Sequence, residues 1–326
     1  MVEPAQPQIS IVILNYNGLE YLRKSIPNIL ALEFPSFEVV VIDNGSTDSS
    51  MLFLNQYPEI RTIANGKNLG YSQGKNIGVQ TARGRYVLLL DDDINILEPL
   101  LLDKLLNKFT EREMGFLSLA LVDSSKTVTE WYGGFYGPYG LKLRAPVPID
   151  QIINHRDQLV EIAAPDGGAL FFSKEHFLSL GGYDEAQPYF LDVGDIGIRS
   201  IILSGKKNYL YTRACLIHLG AARKEDDKTW CWKYRYTLSG ISRIAFKNWR
   251  WENILSRFPV ILGYFFIKTL KQLIIRRKIG VALSLFKSMA LTLKQLPDTI
   301  KLRKKIQRDR KIHSDIFFKI HNPFSR

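Results

Sequence analysis

The stretch GRYVLLLDDDINI, residues Gly84 to Ile96, decides the fold and poses the main chemical question of the sequence. Five consecutive apolar residues, 86–90, are typical of a strand that is buried on both faces. Three adjacent carboxylates, Asp91, Asp92 and Asp93, follow at once. Because like charges a few ångströms apart repel and raise each other's pKa, such a cluster needs compensation. A solvated strand end is one explanation, and a divalent-cation site is the other.

Short β-branched runs alternate with helical patterns along the first part of the chain. ISIVIL (Ile9–Leu14) and FEVVVID (Phe37–Asp43) predict strands, and IRTIA (Ile60–Ala64) predicts a weaker third one. Apolar strands that alternate with helices indicate an α/β fold with a mostly parallel sheet covered on both faces. Ligands of such sheets bind beyond the carboxyl ends of the strands. We therefore expect Asn15, Asp43 and the aspartate cluster in one site.

The composition is that of a globular protein with a basic C-terminal segment. Among 326 residues, 46% are hydrophobic and 23% are charged, enough for one or two domains. The net charge is +12, yet residues 251–326 alone contain 17 Lys+Arg and 4 Asp+Glu. The other 250 residues carry 27 basic and 28 acidic groups. The basicity therefore belongs to the C-terminal segment alone.

Several protein classes are disfavoured by what the sequence lacks. Cys215 and Cys231 have no ligand spacing, which argues against a disulfide framework and a structural zinc site. The start MVEPAQPQIS has neither a basic n-region nor an apolar h-region, so no signal peptide is expected and a cytoplasmic location is the default. The first strand is followed by NYNGLE rather than by GxGxxG or a Gly-rich basic loop. This argues against a dehydrogenase and a sugar nucleotidyltransferase.

The aspartate cluster has the chemistry of a cation site. On an extended segment Asp91 and Asp93 would point the same way, while Asp92 would face away or orient its neighbours. Mg²⁺ and Mn²⁺ prefer oxygen ligands and are commonly held by one or two carboxylates together with substrate phosphates. The spacing is therefore compatible with a divalent cation that binds a diphosphate, and a solvated strand end is the equal alternative.

Four segments, in this order, carry a family resemblance: SIVILNYNGLEYLRKSIPNIL, VVVIDNGSTDSS, NLGYSQGKNIGVQTARGRYVLLLDDD and GALFFSKEHFLSLGGYDE. Together they closely resemble the family 2 glycosyltransferases, including rhamnosyltransferase-like enzymes of cell-surface polysaccharide synthesis, over about Ile9 to Gly220. The resemblance implies the GT-A nucleotide-diphospho-sugar transferase fold, a mostly parallel, Rossmann-like sheet with helices on both faces. It implies an inverting, metal-dependent transfer of a sugar from a UDP- or dTDP-sugar to a glycan or lipid-linked glycan acceptor. Nucleic acid is not an expected partner.

The resemblance also implies site residues. The nucleotide-sugar site would contain Asn15, Tyr16, Asn17, Asp43, Asn44, Ser46, Lys75, Asn76, Asp91 and Asp92. The metal, Mg²⁺ or Mn²⁺, would be held by Asp91 and Asp93. His218, in LIHLG, matches a further metal or phosphate ligand of some GT-A enzymes, and a structural histidine is the equal alternative. Asn17 and Ser46 have the alternative of being turn or cap residues.

The catalytic base is expected in FLDVGDIGIRS. The family commonly has E-D-x-D-L followed by an Arg, and counting back from Arg199 places Val193 at the central Asp. A shift of one residue makes Asp192 the preferred base, with Asp195 as the alternative. Both could instead be acids that favour a helix start. The Val193 mismatch also supports a second hypothesis, an inactive GT-A domain that binds nucleotide sugar or scaffolds a membrane complex.

The expected domain organisation follows from these boundaries. Residues 1–8 form a tail and residues 9–228 the catalytic domain, with a nucleotide-sugar-binding half at 9–97 and an acceptor half at 98–228. Residues 229–326 form a helical, basic segment. Asp166, in PDGGAL, precedes a strand expected to floor the acceptor side and is a candidate acceptor contact.

The C-terminal segment predicts a membrane contact. The apolar run Phe258–Ile267 is interrupted afterwards by Lys268 and Lys271, and it is shorter than the ~20 residues that span a bilayer. An interfacial helix with Lys and Arg on anionic lipid fits better, which predicts a peripheral protein on the inner face of the cell membrane. Packing on the catalytic domain and a nucleic-acid patch are the alternatives.

Overall fold

The computed structural model describes residues 6–125, 128–131, 133–137, 142–143, 147–187, 191–220, 227–276 and 279–324. Within these ranges the strands are β1 (Ile9–Asn15), β2 (Phe37–Asp43), β3 (Ile60–Ala64), β4 (Tyr86–Asp91), β5 (Ile94–Asn95), β6 (Met114–Val122), β7 (Val128–Trp131), β8 (Phe135–Tyr136), β9 (Lys142–Leu143), β10 (Val147–Pro148), β11 (Leu159–Ile162), β12 (Ala169–Ser173) and β13 (Lys207–His218). The α-helices are α1 (Leu19–Leu30), α2 (Ser50–Leu54), α3 (Tyr71–Thr81), α4 (Leu101–Thr110), α5 (Ile149–Ile153), α6 (Lys174–Ser179), α7 (Asp192–Arg199), α8 (Asp227–Asn248), α9 (Trp251–Arg276) and α10 (Ile279–Asp309). A π-helical turn (Ser200–Ser204) follows α7, and a 3-10 turn (Ile316–Lys319) follows α10.

The central strand β1 lies between two parallel neighbours, β2 and β4, and β3 continues the sheet beyond β2. Strand β12 pairs antiparallel with β4 and β6, and β13 runs parallel to β6. The half of the sheet formed by β1, β2, β3 and β4 is thus parallel, and the antiparallel strand β12 joins it to β6. The predicted α/β class is confirmed.

The two faces of β1 bury different side chains. Ile11 and Ile13 pack with Leu22 of α1, whereas Val12 packs with Val79 of α3. Because successive side chains of a strand point to opposite faces, this alternation places α1 and α3 on opposite sides of the sheet. Burial on both faces explains why β1 and β4 are almost continuously apolar.

The strand register gathers the polar strand ends at one edge. Asn15 is the Cα partner of Asp43, and Asp91 is the partner of Leu14. The carboxyl ends of β1, β2 and β4 therefore form a single edge, the place where open α/β sheets bind ligands.

Helix α3 reaches this edge because two of its glycines face the sheet. A Cβ on Gly74 would lie 2.5 Å from Leu14 Cδ1, and one on Gly78 would lie 2.5 Å from Val12 Cγ1. Only glycine lets the helix lie this close to the strand. The close approach carries Lys75 to the strand ends.

The C-terminal helices pack on the rest of the chain. Helix α8 contacts α7, and α10 lies along α8. Trp249, directly after α8, is 1% exposed and shares a core with Ile198 of α7 and Val281 of α10. Packing, one of the alternatives for this segment, is therefore observed for α8 and α10. The division into residues 9–228 and 229–326 stays a prediction.

Among the helices that the structure describes, α10 alone is long and apolar enough to cross a membrane by length and composition. Its most apolar 18-residue window has a mean hydropathy of 1.2, and 17% of that window is buried. Core helices can pass the same test, so this finding supports a membrane contact only weakly.

Candidate active site

The three aspartates after the apolar run have three different partners. Strand β4 ends at Asp91, and Asp92 and Asp93 form a turn before β5. The prediction that the extended segment continues through Asp93 is therefore wrong, whereas the prediction that Asp91 and Asp93 serve one cation stays a prediction. The alternation of side chains holds only along a strand, and the chain turns directly after Asp91.

Lys75 compensates the first carboxylate. Its Nζ lies 2.6 Å from Asp91 Oδ1, donates to the Gly167 carbonyl at 2.7 Å and donates to the Tyr71 hydroxyl. Burial raises the pKa of Asp91, Lys75 opposes this rise and the charge of Asp93 adds to it. The Lys75 side chain is itself fully buried, and these contacts fix the position of its Nζ within the site.

The other two carboxylates face different elements. Asp92 Oδ2 accepts a hydrogen bond from the Tyr16 backbone N–H at 3.1 Å. Asp93 Oδ2 lies 3.1 Å from Nε2 of His218, the last residue of β13. Asp93 Oδ1 is buried and has no hydrogen-bond partner within the described ranges. A lysine, a backbone N–H and an imidazole therefore compensate the cluster.

A polar network links the ends of β1 and β2. Asn15 Nδ2 donates to Asp43 Oδ1 at 2.8 Å and to Ser46 Oγ at 3.0 Å. The Ser46 N–H donates to Asp43 Oδ2 at 3.0 Å, and Ser46 Oγ accepts from the Asn17 N–H at 2.9 Å. Asn17 has a φ of 54°, a left-handed conformation that asparagine tolerates. Tyr16, in the same turn, is 48% exposed.

Two of the predicted nucleotide contacts brace loops. Asn44 Nδ2 donates to the Gly70 carbonyl at 3.1 Å, and its Oδ1 accepts from the Leu69 N–H at 3.1 Å. Asn76 Nδ2 donates to the Tyr183 carbonyl at 3.0 Å, and its Oδ1 accepts from the Tyr183 N–H at 2.8 Å. The chain itself engages both amides, and a nucleotide contact stays a prediction for both residues.

Asp166 lies in the loop before β12 and is 4% exposed. Its backbone N–H donates to Ser118 Oγ at 2.9 Å, and its Oδ1 accepts from the Gly168 N–H at 3.0 Å. These bonds shape the loop that presents the Gly167 carbonyl to Lys75. The structure therefore brings Asp166 to the Lys75 end of the site.

The first residue of α7, Asp192, is completely buried. Ser72 Oγ of α3 donates to Asp192 Oδ2 at 3.1 Å, whereas Oδ1 has no hydrogen-bond partner in the described part of the chain. Burial raises the pKa of Asp192 to about 6, and Lys75 limits the rise. A carboxyl with this pKa is ionised at neutral pH and accepts a proton readily.

One helical turn later, Asp195 is equally buried but fully paired. Its Oδ2 accepts from Arg199 Nε at 2.8 Å, and its Oδ1 accepts from Asn248 Nδ2 at 2.7 Å and lies 2.9 Å from Lys247 Nζ. Burial alone would raise the pKa of Asp195, but Arg199 and Lys247 outweigh burial and lower it. Asp195 is thus an ionised anchor between α7 and α8.

The buried cations of α8 were not predicted from the sequence. Lys247 also lies 2.5 Å from Asp184 Oδ2, and Arg243 Nε lies 2.7 Å from the same atom. Both side chains are almost completely buried. A signal existed, because a basic residue on the apolar side of a helix requires a buried partner. This pattern predicts that Lys247 and Arg243 have buried acidic partners, but it does not identify Asp184 and Asp195 as those partners.

No group of three or more His, Cys, Asp or Glu side chains within the described ranges could hold a metal ion by itself. Asp93 and His218 form a pair, and Asp93 Oδ1 is buried without a hydrogen-bond partner in the described part of the chain. Mg²⁺ usually has one or two protein carboxylates and takes its other ligands from water and substrate phosphates. The pair therefore fits a divalent cation that binds together with a diphosphate.

Known proteins are similar in sequence to parts of this chain. Residues 10–174 match the sequence profile of Glycosyl transferase family 2. Glycosyltransferase GlyG of Streptococcus pneumoniae is 29% identical over 109 residues, which cover 32% of this chain and 36% of GlyG. Succinoglycan biosynthesis protein ExoO of Rhizobium meliloti is 34% identical over 89 residues, which cover 27% of this chain and 26% of ExoO. The matches thus span only a minor part of either relative.

Solved structures share the fold over nearly the whole chain. GalNAc-T7, solved with UDP, GalNAc and Mn²⁺, has a TM-score of 0.64 at 16% identity and covers 99% of this chain and 59% of its own. Mannosyltransferase PcManGT from Pyrobaculum calidifontis was solved with GDP-Man and Mn²⁺. It has a TM-score of 0.55 at 13% identity, and the match covers 93% of this chain and 86% of PcManGT. At these identities the likeness shows the fold alone, which is GT-A. Since the family profile also matches half of the chain, this protein belongs to glycosyltransferase family 2.

Proposed function

We propose that this protein is an inverting, metal-dependent glycosyltransferase that moves a sugar from a UDP- or dTDP-sugar to a glycan or lipid-linked glycan. One observation carries the proposal. In a family 2 chain, the edge formed by β1, β2 and β4 presents the Asn15–Asp43 network together with the Asp93–His218 pair. The first can bind a nucleoside and the second can bind a diphosphate through a cation. Inversion is inferred from the family.

We assign the nucleoside to the turn that ends β1 and to the residues that brace it. Asn15 and Asp43 are buried and mutually hydrogen-bonded, so the floor of this site is already formed. Ser46 fixes the backbone of Asn17. The exposed ring of Tyr16 offers an apolar surface on which a base can stack.

We assign a divalent cation to Asp93 and His218. When bound, it would supply positive charge that stabilises the nucleoside diphosphate leaving group. Mn²⁺ in two proteins of the same fold supports testing it beside Mg²⁺. We also keep Asp91 as a proposed metal ligand. Because its Oδ1 is paired with Lys75, it is a weaker candidate than Asp93.

We propose Asp192, rather than Asp195, as the base that takes the proton of the acceptor hydroxyl. Asp192 Oδ1 has no partner within the described residues, whereas both oxygens of Asp195 are engaged by cations or amides. A general base must have an oxygen that can accept the proton. Because Asp192 is fully buried, the hydroxyl reaches it only when the chain that covers it moves.

We propose that the acceptor is met at the cytoplasmic face of the cell membrane, with Asp166 as a contact on the acceptor side. The name of ExoO, a succinoglycan biosynthesis protein, supports a role in cell-surface polysaccharide synthesis. The apolar and basic character of residues 251–326 supports a membrane location.

The test is to incubate the full chain with a mixture of nucleotide sugars, Mn²⁺ and membrane lipid extract, and to identify the product by mass spectrometry. We expect sugar transfer that Asp93→Ala abolishes and that Asp157→Ala, at an exposed aspartate outside the site, preserves. Unchanged turnover in Asp93→Ala would overturn the metal assignment. Nucleotide binding without turnover across donors and acceptors would favour the inactive, nucleotide-sugar-binding domain.

A further inference from the structure

Helix α9 exposes a stripe of apolar side chains. Leu262, Phe266, Leu270 and Ile274 follow one another every four residues and are 41%, 57%, 38% and 71% exposed. At 3.6 residues per turn this spacing places them along one side of the helix. The stripe contains no charged residue.

The other side of α9 is also apolar, and it is the side that packs. Ile261 and Phe265 are 0% and 3% exposed and share a core with Tyr234 of α8. A helix with a single packed side normally presents polar residues to solvent. A contiguous exposed apolar patch instead marks a protein or membrane contact.

Helix α10 repeats the pattern. Ile279, Leu283, Phe286 and Leu293 are 65%, 53%, 67% and 68% exposed, whereas Val281 is buried in the same core as the inner side of α9. The two helices also contact each other. Because both bury their inner sides in one core, their outer stripes face away from it together. We call these two stripes the α9–α10 face.

The charged residues within the segment that forms the α9–α10 face have one sign. Residues 253–297 contain eight Lys and Arg and no Asp or Glu. Among the basic residues, Lys271, Lys287 and Lys294 are exposed. Trp251 and Tyr264 are 57% and 46% exposed, and such aromatic residues favour the boundary between lipid and water.

We propose that the α9–α10 face docks on an anionic phospholipid bilayer, with both helices in the plane of the headgroups. The stripes would enter the acyl boundary, and the lysines would contact the phosphates. A second copy of this chain is disfavoured as the occupant, because it would oppose two surfaces of equal positive sign. The docking does not depend on the proposed transfer reaction, but it would hold the enzyme where a lipid-linked acceptor lies.

The inner contacts of α10 require the in-plane arrangement. Arg243 of α8 donates to Thr299 Oγ1 at 2.8 Å, and Gln295 Nε2 donates to the Ala186 carbonyl at 2.9 Å. Val281 and Ser288, nearer the start of α10, are fully buried. A helix that crossed the bilayer would lose these contacts along its length. Only the outer side of α10 is available to lipid.

The experiment is flotation of the full chain with vesicles of phosphatidylcholine, with and without phosphatidylglycerol. We expect binding to the anionic vesicles that weakens with salt, since the charge term is screened. The double variant Phe266→Asp/Phe286→Asp should bind these vesicles at least roughly tenfold more weakly than the unchanged chain, because it places charges in the apolar stripes. Lys287→Glu/Lys294→Glu should lose the preference for phosphatidylglycerol.

The matched control is Leu52→Asp on α2, where the same change is made at an apolar side chain that is 69% exposed. It should bind vesicles like the unchanged chain, and thermal unfolding should show that every variant is folded. No binding of the unchanged chain to anionic vesicles overturns the proposal, as does full binding by the folded Phe266→Asp/Phe286→Asp variant. Resistance to an alkaline carbonate wash would show a spanning helix and also overturn it. Loss of self-association in that variant, without vesicle binding by the unchanged chain, would assign the face to a second copy.

Discussion

Asp192 and Asp195 lie one turn apart on α7 and are both fully buried, yet the chain leaves one oxygen of Asp192 without a partner in the described residues and pairs both oxygens of Asp195. The two carboxyls therefore have different functions in the fold. Asp195 fixes α7 against Lys247 and Asn248, and this fixes the direction in which Asp192 projects toward Ser72. The C-terminal helix α8 thus contributes to the geometry of the proposed base.

Replacement of the proposed base should remove turnover but keep donor binding. Asp192→Asn cannot accept a proton, so we expect transfer to fall by about 10² to 10⁴-fold. Nucleotide affinity, measured by calorimetry, should stay unchanged because the nucleoside site is formed by other residues. Ser72→Ala, which removes the hydroxyl that contacts Asp192 Oδ2 and the Gln187 carbonyl but keeps the carboxyl itself, is the milder companion variant. Full activity of the Asp192→Asn enzyme would show that another residue is the base.

The same substitution should stabilise the protein at neutral pH. Burial raises the pKa of Asp192 to about 6 from 3.8, so the folded state binds this proton more tightly than the unfolded state does. The ionised buried carboxyl therefore lowers stability above pH 6, and the penalty disappears as the pH falls toward 4. Asp192→Asn should raise Tm by a few degrees at neutral pH and leave it nearly unchanged in acid. Loss of activity with a gain of stability separates a catalytic carboxyl from a structural one.

The sheet was predictable from sequence because burial on both faces leaves a local signature. The apolar runs that contain Val12 and Leu88 indicate a covered parallel sheet without any long-range information. The partners of the aspartates had no such signature. Asp93 and His218 are 125 positions apart, and their contact depends on how β13 enters the sheet. The resemblance identified both residues, but the turn after Asp91 and the pairing of Asp91 with Lys75 required coordinates.

The choice between Asp192 and Asp195 was open for a related reason. It depends on Lys247 and Asn248, which lie in residues 229–326, the segment that the sequence predicts to be separate from the catalytic domain. The spacing around Val193 places both acids at a helix start and is equally compatible with either role. Pairing with Lys247 and Asn248, which distinguishes Asp195 from the equally buried Asp192, arises only when α8 packs on α7.

Removal of Lys247 should destabilise the fold severely. Lys247→Met removes the cation that the buried carboxylates of Asp195 and Asp184 share; because Arg199 and Arg243 remain, we expect the lower end of the range for a broken buried pair, about 3 kcal/mol. The pKa of Asp195 is lowered in the folded state, so this contribution is fully present above the unfolded pKa and is lost as the pH falls through the folded pKa. Urea unfolding at neutral and acid pH measures the difference, which should shrink in acid.

The control for Lys247 is Lys271→Met, at an exposed lysine of α9. It should change the unfolding free energy by less than about 0.5 kcal/mol, the usual range for surface substitutions. The double variant Asp195→Asn/Lys247→Met should be less unstable than the sum of the single variants, because the two side chains interact directly. Strict additivity would mean that the 2.9 Å contact contributes nothing.

Lys75 should set the acidic limb of the activity profile. Its buried ammonium pairs with Asp91 and opposes the rise in the pKa of Asp192. Lys75→Met removes that charge, so the pKa of Asp192 should rise further and the fall of kcat/KM at low pH should move to higher pH. Lys75→Arg keeps the charge and should leave the limb nearer its original position. Since loss of the hydrogen bond to the Gly167 carbonyl affects both variants, a difference between their pH profiles isolates the charge. Identical profiles for both variants and the unchanged enzyme would show that Asp192 is not the group whose ionisation limits the rate.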